Sequence, residues 1–521
     1  MRFRPAGVIG LARFLDRFSR PLHGTEVDRR LARGAFWSVV GTVLSRGTGL
    51  VATIVVARIL GRTVFGELGI VQSTVGMFQA LAGFGLGLTA TKYVAEYAAT
   101  DPRRTERLLG LSRLMATITG LIATGILAVL AGPLAERVLH APHLAELLRW
   151  SSVMLLLGAL NAEQLGALAG FEAFRTLAVV NLLAGVATFP LAIGGAALWG
   201  LRGALAGMIA SMAVNWFLNH WALKRQMRKA GIRASLRGCC REWRVLLSFS
   251  LPTVLAGLMA GAATWACQAI LVRQNDGFAS LGIYNAIVQI KGIPILLLTA
   301  LLNPLLPVLS ERFARGDKKG YGQALWRAYS VSLLVMAPFA LLLVTEPQWV
   351  FLPFGKDFGG HRWAVQWLML QAVIVGLSMP LRDTLASSNR MWFGFAYNLG
   401  WGAVFLSGAW LLTPTWGADG LAAALAMAQF IAAVPFVFIL YTRLREFKGR
   451  FPLVSCALML LGLFAIMVAV SHLSPTARRI VTLPIVGGAL GAGGWLLARG
   501  RRQDGPPAAM DIGPARERNG T

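Results

Sequence analysis

Four ionisable residues stand where an apolar chain rarely carries them. Arg46, Arg113, Lys291 and Glu163 each lie inside an apolar run long enough to cross a bilayer. A charge at the centre of such a run costs about 2.5–3.5 kcal/mol on the insertion scale. A sequence keeps that cost where a cavity, a partner side chain or a ligand offsets it. The cations outnumber the acid, so the chemistry on offer is recognition of an anion. Arginine suits an anion with two adjacent oxygens because its planar fork meets both at once, whereas Lys291 acts as a point charge. Arg46 sits about 12 residues into its helix, roughly 18 Å along at 1.5 Å per residue, which is close to the bilayer midplane. It either contacts an anionic head group or pairs with a carboxylate such as Glu163. Arg113 lies nearer a membrane surface and either lines a cavity or snorkels to the cytosolic face. Glu163, flanked by Asn161 and Gln164, either neutralises Arg46 or serves ion or proton coupling.

Uncharged polar residues recur around these charges at helical spacing. Ser38, Thr42, Ser45 with Arg46, Gly49 and Thr53 share one face of the first apolar helix. Ser211, Asn215 and Asn219 form a second stripe, Thr264 and Gln268 a third, and Gln72 and Gln79 stand a heptad apart. Such stripes face protein or a wet cavity. Arg46, Lys291, Arg113, Gln268, Thr264, Thr42 and Asn215 are therefore the candidate ligand-binding residues. Helix–helix hydrogen bonds, about 0.6–2 kcal/mol each, are the competing account of the uncharged ones. No catalytic set converges: His140, His143 and Glu136 share a loop without a catalytic or zinc spacing. Cys239, Cys240, Cys267 and Cys456 have no ligand spacing either. There is no Gly-rich loop followed by Lys-Ser/Thr, which argues against ATP hydrolysis. No metal and no cofactor is expected.

The elements that must hold these residues are membrane helices. The 521 residues are 56% hydrophobic and 14% charged, with a mean hydropathy of +0.61, which no water-soluble class matches. The formal charge of +27 does not signal nucleic acid. Arg and Lys sit in short loops between apolar runs, as the positive-inside rule places them, and not on one basic face. Fourteen spans are expected, at roughly 35–60, 66–91, 108–132, 147–169, 174–198, 203–223, 245–272, 281–308, 327–345, 363–385, 391–413, 418–442, 452–472 and 479–499. The loop 224–244 carries Lys224, Arg225, Arg228, Lys229, Arg233, Arg237, Arg241 and Arg244, while 413–418 carries no basic residue. That asymmetry places both termini in the cytosol. Residues 1–33 form a basic cytosolic segment in which Val8, Leu11, Leu15 and Phe18 share a face opposite Arg13, Arg17 and Arg20, suiting a helix on an anionic surface. No signal peptide is read there, and the polar, Pro/Gly-rich tail 500–521 is expected to be disordered.

An internal repeat organises the rest. Arg58 matches Arg273 and Glu96 matches Glu311, each 215 residues on. Phe65-Gly66-Glu67-Leu68 matches Leu281-Gly282-Ile283-Tyr284, Asp101 matches Asp317, and Asn181 matches Asn398. The stripe repeats as well, in Thr253, Gly257, Thr264 and Gln268. Six spans between copies keep both halves in the same orientation, so the repeat is parallel about an axis along the membrane normal. The expected architecture is an all-α polytopic membrane protein of about 14 transmembrane helices. Two pseudo-symmetric six-helix bundles, 34–223 and 245–443, joined by the linker 224–244, enclose a central cavity, and two extra helices follow at 451–499. Pro252, Pro294, Pro304 and Pro307 are candidate hinges.

Phe36-Trp37 with Ser45-Arg46, the Ala57-Arg58-Ile59-Leu60-Gly61 turn with Phe65-Gly66, and Tyr93-Val94-Ala95-Glu96 carry a resemblance. So do Leu281-Gly282-Ile283-Tyr284 and Phe354-Gly355-Lys356-Asp357-Phe358. Over about residues 30–445 the chain resembles the polysaccharide flippases of bacterial envelopes, within the multidrug/oligosaccharidyl-lipid/polysaccharide exporter superfamily. The resemblance implies translocation of an undecaprenyl-diphosphate-linked oligosaccharide to the outer leaflet of the bacterial inner membrane, by alternating access. It also implies membrane lipids, a polysaccharide polymerase and glycosyltransferases as candidate partners. The peptidoglycan-precursor flippases are the neighbouring alternative. A multidrug or cation antiporter would want carboxylates in its cavity, and the intramembrane charges run the other way. A membrane glycan polymerase or ligase would want a large external loop or an acid/base cluster, and neither is present.

Overall fold

The computed structural model describes residues 26–443, apart from 84, 99, 233–242, 303–304, 315–316 and 388–390. The basic segment before residue 26, the two C-terminal spans and the tail lie outside the described residues. Every regular element within them is helical: α1 (Glu26–Gly83), α2 (Leu86–Tyr97), α3 (Pro102–Pro133), α4 (Ala145–Ser151), α5 (Val153–Gly170) and α6 (Phe174–Lys229) in the first half. The second half holds α7 (Trp243–Val272), α8 (Gly277–Leu302), α9 (Leu305–Ala314), α10 (Lys318–Thr345), α11 (Gln348–Phe351), α12 (Arg362–Ser387) and α13 (Met391–Arg443). Helices are what so apolar a chain must form, because lipid offers no partner for a free N–H or C=O. Among the described residues, eight helices are long and apolar enough to cross a membrane.

Fewer helices than expected spans appear because two spans lie outside the described residues, the helix counted at Gly257–Val272 is too short, and three helices are paired runs joined across a break. α1, α6 and α13 contain 58, 56 and 53 residues, and at 1.5 Å per residue each is about 80 Å long, against a hydrocarbon core of about 30 Å. Left-handed glycines interrupt them: Gly61 at φ 73°, Gly200 at φ 57° and Gly417 at φ 53°. Only glycine takes that conformation without a Cβ penalty. The chain folds back at the second and third breaks. Gly203 lies against the carbonyl of Gly195, Gly207 against that of Leu191, and Gly420 against that of Leu412. The turning dipeptides are Trp199-Gly200 and Trp416-Gly417, a repeat signal that the sequence reading passed over. Both indoles are exposed, at 71% and 59%, as interfacial tryptophans are.

Two of the repeat pairs read from the sequence, Asp101/Asp317 and Gly66/Gly282, occupy matching places. Asp101 caps α3 by accepting the Arg104 N–H at 3.0 Å, and Asp317 caps α10 by accepting the Gly320 N–H at 2.9 Å. A capping carboxylate satisfies a donor that the first helical turn leaves free. Gly66 and Gly282 meet face to face where α1 crosses α8. A Cβ on Gly66 would strike the Phe278 carbonyl, and one on Gly282 would strike the Arg62 carbonyl, each four residues before the opposing glycine. This crossing relates the two halves by local two-fold symmetry.

Beside the crossing, an aromatic cluster packs at the Gly61 end of the molecule. Phe65 packs on Phe354 and Phe358 with ring centroids 6.5 and 6.1 Å apart, and both partners are 1% exposed. The Phe354-to-Phe358 loop thus closes over α1. Arg62 and Asp276 add an ion pair at 3.6 Å, exposed and worth about 1 kcal/mol at most. His143 bonds Glu67 at 3.0 Å and sets its ring edge-on to Phe278. Farther along α1 the halves stay in contact: the Trp265 indole N–H donates to the Thr74 hydroxyl at 2.9 Å, and Gly261 faces Met77.

Candidate functional site

The structure distributes the intramembrane charges instead of gathering them. Arg46 is exposed, and a Cβ at Gly47 or Gly49 beside it would meet open space. Thr53 of the same stripe bonds the Gly49 carbonyl at 2.9 Å. Thr42 lies in the described backbone of α1 but outside the described side chains.

Lys291 is enclosed. Only 8% of it is exposed, and its ammonium donates to Gln371 Oε1 on α12 at 2.9 Å. Gln371 is the partner that the sequence left unnamed, because α12 reaches α8 only through the tertiary fold. In α7, Thr264 donates to its own helix at Ala260 O, 2.8 Å away. Gln268 is 8% exposed, and its Oε1 has no hydrogen-bond partner among the described residues.

The α6 stripe is bonded within the first half, apart from Asn219 Oδ1, which is buried and accepts no hydrogen bond among the described residues. Asn219 donates to Asn215 Oδ1 at 2.7 Å and to Asn161 Oδ1 at 3.3 Å, while Asn161 donates to the Met212 carbonyl at 3.2 Å. Gln164 exchanges two bonds with Trp216, accepting from the indole N–H at 3.2 Å and donating to the carbonyl at 3.1 Å. These bonds tie α5 to α6, as the helix–helix account of the polar stripes requires. Asn215 spends its carbonyl oxygen there.

Glu163 is 2% exposed, and the charge that reaches it is that of Arg113 on α3, not Arg46. Arg113 belongs to a wider basic group. A cavity of about 620 Å³ is lined by Arg113, His220, Leu223, Lys224, Met227, Arg228 and Ile232. α3 supplies the arginine, the last turns of α6 supply most of the wall, and Ile232 closes it just beyond the α6 terminus. The cavity lies at the opposite end from the Gly66–Gly282 crossing. The apolar ends of α2, α3, α5 and α6 pack there through Val94, Leu109, Leu168 and Leu223. Neither Arg46 nor Lys291 lines it. The His220 ring stacks on Trp216 at 5.8 Å between centroids. Among the described residues, Arg113, Lys224 and Arg228 have no carboxylate within ion-pairing distance. The sequence showed Lys224 and Arg228 only as members of a basic loop. Their place beside Arg113 depends on α6 running straight past residue 223, and His220 had no signal of its own.

Known proteins share this sequence and shape. The chain matches the family described as "Polysaccharide biosynthesis protein" over residues 31–313. It is 24% identical over 414 residues to the lipopolysaccharide biosynthesis protein WzxC of Escherichia coli (strain K12), covering 78% of this chain and 80% of that one. It is 28% identical over 371 residues to the succinoglycan biosynthesis transport protein ExoT of Rhizobium meliloti (strain 1021), covering 68% and 67%. In fold it is similar to the lipid II flippase MurJ in an inward closed conformation. The TM-score is 0.68 at 14% identity, over 89% of this chain and 98% of that one. With that family match extending over more than half of its length, the chain belongs to the polysaccharide biosynthesis protein family of multi-pass membrane proteins.

Proposed function

We propose that this protein is a flippase that moves a lipid-linked oligosaccharide, carried on undecaprenyl diphosphate, across the bacterial cytoplasmic membrane for surface polysaccharide synthesis. The observation that carries the reading is family membership combined with an intramembrane charge set of the sign a diphosphate needs. Two helical halves, 34–223 and 245–443, would rock against each other about the Gly66–Gly282 crossing, with spans 13 and 14 appended. The basic loop 224–244 sets the end holding Asp101 and Lys229 in the cytosol, by the positive-inside rule. The Phe65–Phe354–Phe358 cluster then closes the outward end. In this state the outer gate is shut.

Arg46, exposed beside open space near the midplane, is the residue proposed to meet the head group in transit, with Thr42, Thr264 and Gln268 on the same path. Lys291 holds α8 to α12 through Gln371 in the closed-outward state, and would turn to the cargo only if that bond opens. The chain acts as a transporter and not as an enzyme on this reading. A polymerase and glycosyltransferases are its proposed partners. Deleting the gene is expected to leave the lipid-linked intermediate on the cytosolic leaflet and to remove the surface glycan. A deletion strain with normal surface glycan and no such intermediate would dismiss the assignment.

A further inference from the structure

The cavity at the cytosolic ends of α3 and α6 is separate from the midplane path and has a composition of its own. Three cations and one imidazole converge on it, and no carboxylate is among its described lining residues. Leu223, Met227 and Ile232 add apolar lining between and beside them, two of the three nearly fully buried. Its volume of about 620 Å³ lies within the range of about 300–1,000 Å³ usual for small-ligand sites. Cations and methylene-compatible surface within one enclosure match one kind of molecule: a phosphate attached to a hydrocarbon chain. Arg113 and Arg228 each carry a fork that binds two phosphate oxygens, while Lys224, one helical turn before Arg228, is a point charge. Loops exposed to the cytosol carry scattered cations in any membrane protein. Here they share a concave, half-apolar enclosure with an arginine contributed by a different helix.

From this geometry we propose that the Arg113–His220–Lys224–Arg228 cavity is a docking site for a lipid-borne phosphate of the cytosolic leaflet. Two sources share that chemistry: the diphosphate of the cargo lipid before it is loaded, and the head group of a bulk anionic phospholipid. Only the first source rests on the transport reading.

The test is native mass spectrometry of the full-length protein with undecaprenyl diphosphate, phosphatidylglycerol or diacylglycerol added in turn. The variant is R113Q/K224Q/R228Q. R225Q is the control, since Arg225 lies over Trp221 at 5.8 Å and does not line the cavity. The parent should retain phosphate-bearing lipid and not diacylglycerol, and each lost charge should lower retention about fivefold, the weight of one near-surface cation on an anionic lipid. R225Q should match the parent. Loss confined to undecaprenyl diphosphate identifies the cargo as the source; loss confined to phosphatidylglycerol identifies the bulk lipid; loss of both identifies a site that reads phosphate alone. If the triple variant does not fold, K224Q and R228Q, at exposed positions, are measured singly. Unchanged retention in folded variants, or equal retention of diacylglycerol, overturns the site. Because no transport is measured, a chain that binds but does not flip would defeat the flippase reading and leave this site standing.

Discussion

The Gly66–Gly282 crossing makes a quantitative demand. Alanine at Gly66 would place its Cβ on the Phe278 carbonyl and against the Gly282 amide, and alanine at Gly282 would meet the Arg62 carbonyl and the Gly66 amide. These obstacles are backbone atoms, so no side chain can turn aside and the helices must part. Overpacking of this kind costs about 1–3 kcal/mol. If the crossing exists only while the outward end is shut, that cost falls on one conformation and shifts the population by about 5–150-fold. Cysteines at positions 62 and 276, whose native side chains lie 3.6 Å apart, report the closed state through their rate of cross-linking with a short bifunctional reagent. Gly66→Ala and Gly282→Ala should each slow cross-linking by a factor in that range. The double variant should be slower than either by less than the product, because helices already separated accept the second methyl cheaply. Cross-linking at the parental rate in both single variants, with an unchanged melting temperature, would show that the halves do not close on these glycines.

Three further outcomes follow from the polar contacts. Gln371→Leu leaves the Lys291 ammonium buried without its acceptor and should lower stability by about 1–3 kcal/mol. Lys291→Met with Gln371→Leu should regain most of that, as read by thermal denaturation in detergent. Asn219→Ala removes bonds to both Asn161 and Asn215 and should cost about 0.6–2 kcal/mol in the same assay. Arg46→Ala should abolish glycan export while membrane insertion stays intact, and Arg46→Lys should retain part of it. Full export by the alanine variant, scored by surface glycan staining, would take Arg46 out of the mechanism.

The sequence by itself determined whatever depends on hydrocarbon compatibility and on periodicity. Long apolar runs can only be membrane helices, so the class was legible. The offset between Asp101 and Asp317, or between Gly66 and Gly282, carried the parallel repeat before any coordinates. Intramembrane charge is costly enough to be conspicuous, so Arg46, Arg113, Lys291 and Glu163 could be picked out singly. What they touch could not be read, since a contact between helices 80 or 50 residues apart leaves no local pattern. Only the tertiary structure decided that Lys291 is held by Gln371, that Arg113 is the charge acting on Glu163, and that Asn219 reaches Asn161 on α5. It alone turned Lys224 and Arg228 from loop charges into cavity walls, because side-chain direction on a helix is set by the neighbours it packs against and not by its own residues.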